Sequence, residues 1–185
     1  MNRRQLLSAA FAIPALVRTP AVLANFAAGT TKAGVETLRK DWRTYLAANA
    51  DVATDPAPVK LSDAEWKSKL TPAAYNVLRH EGTEYPGSSP LNAEKRDGLF
   101  ACAGCALPLF TSAMKFESGT GWPSFVTSIP GAFSTTSDNK LIYTRTEYHC
   151  SKCGGHHGHV FDDGPPPLGE RWCSNGVALR FIPRA

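Results

Sequence analysis

The sequence predicts a mainly β fold with short helices confined to its N-terminal part, and three observations carry that prediction. Glycine (15) and proline (14) are frequent enough in 185 residues to demand many turns. Beyond Gly98 the apolar residues fall in short, strand-length runs between turn clusters rather than at helical spacing. Two cysteine pairs, at 102 and 105 and at 150 and 153, need an intervening sheet to bring them together. Hydrophobic residues at 43% and charged residues at 19% are ordinary for a globular chain, and the length suits one compact domain plus a tail. A formal charge of +4 without a Lys/Arg block is too weak for phosphate tracking, so no nucleic-acid partner is expected.

In chain order, residues 1–24 read as an export signal rather than as part of the fold. Arg3 and Arg4 precede a mostly apolar stretch from Gln5 to Val17, and Val22-Leu23-Ala24 is a small-residue exit. The stretch holds Pro14 and ends at Arg18, short of the ~20 apolar residues a membrane span needs. No stable membrane insertion is therefore expected once the signal is removed. Asn2-Arg3-Arg4-Gln5-Leu6-Leu7 resembles the twin-arginine export motif, which places the mature protein in the periplasm. An ordinary export signal that happens to hold two arginines is the alternative. The signal has three arginines and no acid, so it accounts for three of the four excess charges.

Residues 25–59 read as an N-terminal arm of uncertain structure. Val35 to Ala48 is a possible helix with Leu38, Trp42, Tyr45 and Leu46 on one side. Ser62-Asp63-Ala64-Glu65 is a capping box opening a short helix. Thr71 with Pro72 opens a second helix that stops before Gly82. Leu141 to His149 alternates sides like a strand, and Val177 to Ile182 is a terminal strand candidate.

Cys102, Cys105, Cys150 and Cys153 form two CxxC knuckles 44 residues apart. Each knuckle aims two thiolates at one point, and together they supply a closed tetrahedral sulfur set for one Zn²⁺. Such a site is structural, holding the fold rather than performing chemistry. Two redox dithiols or two local disulfides are the competing readings in an exported protein.

The fifth cysteine, Cys173, lies outside both knuckles in Arg171-Trp172-Cys173-Ser174-Asn175. A free cysteine is often only a small buried hydrophobe. Here Arg171 and Asn175 flank it at two-residue spacing, on its own side if this is a strand, and the arginine charge favours a thiolate. His156-His157-Gly158-His159 supplies acid/base groups that titrate near neutral pH. A nucleophilic cysteine with histidines fits a thiol hydrolase and a thiol redox enzyme equally well.

Several further motifs carry a resemblance. Gly82 to Pro86, Gly98 to Cys105, Ser118 to Phe125, Tyr148 to Cys153, His156 to Phe161, Asp163 to Pro167 and Arg171 to Phe181 resemble, in order and spacing, the B-type methionine sulfoxide reductases. The resemblance assigns residues 60–185 to that domain and implies two twisted antiparallel sheets with one structural zinc. It also implies that Cys173 attacks the sulfur of the R epimer of methionine sulfoxide and passes through a sulfenic acid. Trp122 would contact the substrate methyl group. His156 and His159 would position the sulfoxide oxygen and supply protons, Asn175 would order that network, and Arg171 would help keep Cys173 ionised. Oxidised proteins would be the substrates, and a thioredoxin-like protein or small thiol the reductant. Asp163 to Pro167 is read as a stiff loop with no chemical role. Two departures stand out: Thr120 replaces a resolving cysteine found in many relatives, and His157 replaces a usual aliphatic residue. A zinc-stapled binding module without catalysis is the alternative from another class.

Overall fold

The computed structural model describes residues 31–55, 57–139 and 144–184. The signal at 1–24 lies outside them, as do residues 141–143 of the expected Leu141–His149 strand. Among the described residues three short helices come first: α1 (Lys32–Lys40), α2 (Asp63–Lys69) and α3 (Pro72–His80). The helix expected over Val35–Ala48 starts earlier, because the Thr31 hydroxyl caps it by accepting from Gly34 N at 3.0 Å. It also stops earlier, tightening at Asp41–Tyr45 into a 3₁₀ turn. Val35, Leu38 and Tyr45 are nevertheless buried. The capping box of α2 forms as expected: Ser62 Oγ accepts from Glu65 N, and Glu65 Oε2 accepts from Ser62 N at 2.7 Å.

Among the described residues nine strands follow, and every pairing between them is antiparallel. They are β1 (Gly98–Cys102), β2 (Pro108–Thr111), β3 (Lys115–Phe116), β4 (Ser124–Phe125), β5 (Phe133–Asp138), β6 (Arg145–Cys150), β7 (His156–Phe161), β8 (Arg171–Ser174) and β9 (Leu179–Pro183). The smaller sheet has the order β2-β1-β9 and the larger β3-β4-β8-β7-β6-β5. The fold is thus mainly β, with two antiparallel sheets. Phe100, Phe110, Phe125 and Tyr148 are fully buried. Phe110 and Phe125 stack in parallel at 3.9 Å, and Phe100 meets Phe125 edge-on at 5.1 Å.

The terminal strand begins two residues later than expected. Gly176–Ala178 form a 3₁₀ turn, because the Glu84 carboxylate accepts from Gly176 N (2.6 Å) and Val177 N (3.0 Å). Those two amides are therefore not used in a ladder, and pairing with β1 starts at Leu179.

The stretch after α1 is fastened to the cysteine end of the molecule. Ala53 N donates to Ala106 O and Val59 N to Lys152 O, while Lys152 Nζ donates to the carbonyls of Asp55 and Ala57. One buried lysine in the second knuckle thereby pins the chain on both sides of position 56.

Candidate active site and zinc centre

The two knuckles are built alike. In each, the first cysteine's carbonyl accepts from the residue four positions on, Ala106 N or Gly154 N, both at 2.8 Å. Each first cysteine also donates to the carbonyl five positions on, that of Leu107 or Gly155. This turn demands a left-handed residue at its fourth step, and Ala106 (φ 61°) and Gly154 (φ 67°) supply it. The four sulfurs lie within 4.8 Å of one another, with Cys102–Cys153 at 3.7 Å and Cys105–Cys150 at 3.5 Å. A tetrahedron of sulfurs around Zn²⁺ at ~2.3 Å has edges of about 3.7 Å, so the residues present fit the ion. None of the five cysteines is in a disulfide.

The second centre lies on the larger sheet. Alternation alone would put His156 and His159 on opposite faces, since they are three residues apart. The register shifts between Tyr148 and His149: His159 pairs with Glu147, Gly158 with Tyr148, and His156 with His149. His157 is the extra residue of this bulge, so His156 and His159 emerge together on the face of Glu147 and His149. His159 also pairs across with Cys173, which sets the thiol on that face, and Arg171 joins it two residues away on the same strand. Gly158 is required here by space. A Cβ on it would sit 2.0 Å from the Cys173 carbonyl oxygen.

A carboxylate holds each of these two imidazoles. His156 Nδ1 lies 2.5 Å from Glu147 Oε1, and His159 Nε2 lies 2.8 Å from Asp138 Oδ2. Arg145 closes on the same Asp138 oxygen at 2.5 Å. Burial lowers the His159 pKa, and the hydrogen bond to Asp138 opposes it without cancelling it. Burial pushes the Cys173 thiol up. Arg171 and a hydrogen bond from Thr120 act in the opposite direction and are outweighed. Thr120 belongs to a hydroxyl chain in which Ser118 Oγ lies 2.8 Å from Thr120 Oγ1 and accepts from Ser124 at 2.8 Å.

Asp163 has a role that the sequence reading did not give it. Its two carboxylate oxygens accept from Arg171 Nε (2.7 Å) and Nη2 (2.9 Å), a bidentate clamp on the residue two positions before Cys173. The same guanidinium stacks over Phe161 at 4.4 Å. Asn175 is buried and bonds main chain on both sides: its Oδ1 accepts from Glu84 N (2.9 Å) and its Nδ2 donates to His157 O (3.0 Å). It ties the bulge to the 84–87 loop. Trp122, half-buried, donates from Nε1 to Glu84 O at 3.2 Å, and Gly87 N donates to Gly121 O. Glu84 thus connects Trp122, Asn175 and the turn after Cys173.

The structure therefore brings Cys173, Arg171, His156 and His159 to one face, and links Asn175 and Trp122 to it through Glu84. The sequence reading missed Asp138, Glu147, Asp163 and Glu84. Asp163 and Glu84 lie within motifs already singled out, so an acid inside a chemistry-bearing motif was the available signal. Nothing local in the sequence marks the other two.

Chemically, the face offers a thiol and two imidazoles, each with a carboxylate beside one ring nitrogen. Comparison with known proteins agrees with this chemistry. Residues 70–183 match the SelR domain. A peptide methionine sulfoxide reductase MsrB of Agrobacterium fabrum is 48% identical over 126 residues, covering 68% of this chain and 93% of that protein. The MsrB of Leifsonia xyli is 50% identical over 124 residues, covering 66% of this chain and 89% of that protein. Peptide methionine sulfoxide reductase B2 of Arabidopsis thaliana, described as chloroplastic, is 44% identical over 130 residues, 69% of this chain and 63% of its own length. This chain belongs to the SelR-domain family of peptide methionine sulfoxide reductases of the MsrB type.

Proposed function

We propose that this protein reduces the R epimer of methionine sulfoxide in oxidised proteins, with Cys173 as nucleophile and one structural zinc on Cys102, Cys105, Cys150 and Cys153. The observation that carries the reading is the pairing of Cys173 with His159 on the face that the β7 bulge also gives to His156. The Cys173 thiolate forms a bond to the sulfoxide sulfur. Protons delivered from His156 and His159 let the sulfoxide oxygen leave as water, because unprotonated oxygen is a poor leaving group. Water then adds to the Cys173 sulfur, the methionine sulfur keeps the electron pair, and Cys173 is left as a sulfenic acid. Trp122 receives the substrate methyl group. Asn175 fixes the bulge from which the histidines project, and Arg171, clamped by Asp163, limits the rise in the thiol pKa. Cys102, Cys105, Cys150 and Cys153 would hold the zinc between the two knuckles and leave it no open position for substrate.

Four of the five thiols are committed to metal and Thr120 stands at the resolving position, so the sulfenic acid is reduced by an external thiol, thioredoxin-like or small. Export runs by the twin-arginine route to the periplasm, which lets zinc enter a folded chain before the oxidising compartment is met. Undiminished periplasmic arrival after Arg3→Lys and Arg4→Lys would count against that route. A catalytically silent binding module gives no reason for a strand-borne thiol facing two carboxylate-held imidazoles. The test of the activity uses a peptide carrying both sulfoxide epimers and a dithiol. Only the R epimer is consumed, and Cys173→Ser abolishes turnover with zinc and fold intact. Turnover by Cys173→Ser, or consumption of the S epimer instead, would overturn the assignment.

A further inference from the structure

The chemistry above uses one edge of a larger cluster. Glu147 and His149 are two residues apart on β6 and so share a face, and His156 stands opposite His149 on β7. Two donors at i and i+2 on one strand, with a third from the neighbouring strand, converge on a single point above the sheet. The His149 Nε2 atom lies 3.4 Å from Glu147 Oε1, and His156 Nδ1 lies 2.5 Å from that same oxygen. All three donor atoms fall within 4.8 Å of one another. Around zinc, N and O ligands at ~2.0–2.2 Å are about 3.4 Å apart in a tetrahedron. The His149–Glu147 pair is already at that spacing. The shorter contact would open by a fraction of an ångström to admit the metal.

We propose that Glu147, His149 and His156 form a second, exchangeable metal site for a divalent transition ion of the zinc class, and that occupancy inhibits the enzyme by withdrawing His156. The donor set, two imidazoles and one carboxylate, suits zinc, copper, nickel or iron rather than magnesium or calcium, which take oxygen cages. Three protein ligands leave a fourth position open, and Glu81 Oε1, 4.0 Å from His149 Nε2, stands beside it. The site is separate from the tetrathiolate although His149 precedes Cys150 in the chain: side chains alternate, so the imidazole takes the outer face and the buried Cys150 sulfur the inner one. His149 has no place in the reduction chemistry, so the inhibitory site is separable from catalysis by one substitution. The inhibition, though not the binding, rests on the reading of His156 as a proton-delivering residue.

The probe is Zn²⁺ added to enzyme that already carries its structural zinc, with bound metal measured by equilibrium dialysis and elemental analysis. Wild type and Cys173→Ser bind a second equivalent, whereas His149→Gln binds only the first. Without added metal His149→Gln turns over at the wild-type rate, and it needs at least ~10-fold more Zn²⁺ for half-inhibition. One equivalent in wild type, or a second retained by His149→Gln, overturns the site. A second equivalent lost only in Cys173→Ser puts the metal on the nucleophile and also overturns it, leaving the reductase reading intact. Binding at Glu147, His149 and His156 with undiminished turnover overturns the inhibitory role.

Discussion

His157→Leu should make the protein more stable, and more so in mild acid. The imidazole of His157 is fully buried against Phe133 and Tyr148, and neither ring nitrogen has a hydrogen-bond partner among the described residues. An unsatisfied buried polar group costs ~1–3 kcal/mol, and leucine has similar bulk with no polar atom, so the substitution should return about that amount at pH 7.5. Acid adds to it. Burial pulls the His157 pKa down to about 3 from the ordinary 6.5. Below pH 6.5 the unfolded chain therefore binds a proton that the folded protein refuses, and stability falls with falling pH until about 3. Each unit is worth ~1.4 kcal/mol, so between pH 6.5 and pH 5 the wild type loses roughly 2 kcal/mol that the leucine variant keeps. Urea unfolding of both zinc-loaded proteins at pH 7.5 and pH 5 measures this. Acid weakening of the thiolate site is common to both and cancels in the difference. A stability gap between variant and wild type that is the same at both pH values would refute the argument, as would a less stable variant.

Three further outcomes are expected. Chelating the zinc should unfold the domain, and elemental analysis of the untreated protein should find one zinc per chain on the four knuckle cysteines, because the sulfurs of the two knuckles would be joined only through the ion. Alkylation of Cys173 in the free enzyme, followed by peptide mass spectrometry, should rise with pH through a midpoint above the ordinary thiol value of 9. Arg171→Met should move that midpoint higher, since burial raises it and Arg171 opposes the rise. Ala106→Gly should stabilise the protein by ~1 kcal/mol in thermal or urea unfolding, since it relieves a left-handed alanine at the step where the sister knuckle uses glycine.

The sequence and the structure agree best where chemistry is local. A CxxC pair carries its turn with it, so both knuckles were legible, as were the caps at Ser62 and Thr71. The histidine motif was legible as chemistry but not as geometry. His156 and His159 share a face only because His157 bulges out of the ladder, and strict alternation would have separated them. The carboxylates that hold them are hidden for a different reason. Asp138 is 21 residues from His159, and Glu147 meets His156 only through the β6–β7 register, which depends on packing of the whole sheet. The stretch before α2 was unclear because α1 breaks into a 3₁₀ turn, so Val35, Leu38 and Tyr45 reach the core without one helical period.

The Lys152 contacts bear on the order in which the chain can be finished. The ammonium that pins the carbonyls of Asp55 and Ala57 is 97 and 95 residues away from them in sequence. Contacts of such span close late, because the loop between them must first be ordered. On a ribosome making the chain from its N-terminus, Asp55, Ala57 and Val59 meet their partner Lys152 only once the second knuckle has emerged, when about four-fifths of the protein exists. Helices α2 and α3 can form from their own caps long before that. The segment leading from the N-terminus into the domain therefore stays undocked through most of synthesis, and its docking marks completion of the cysteine end.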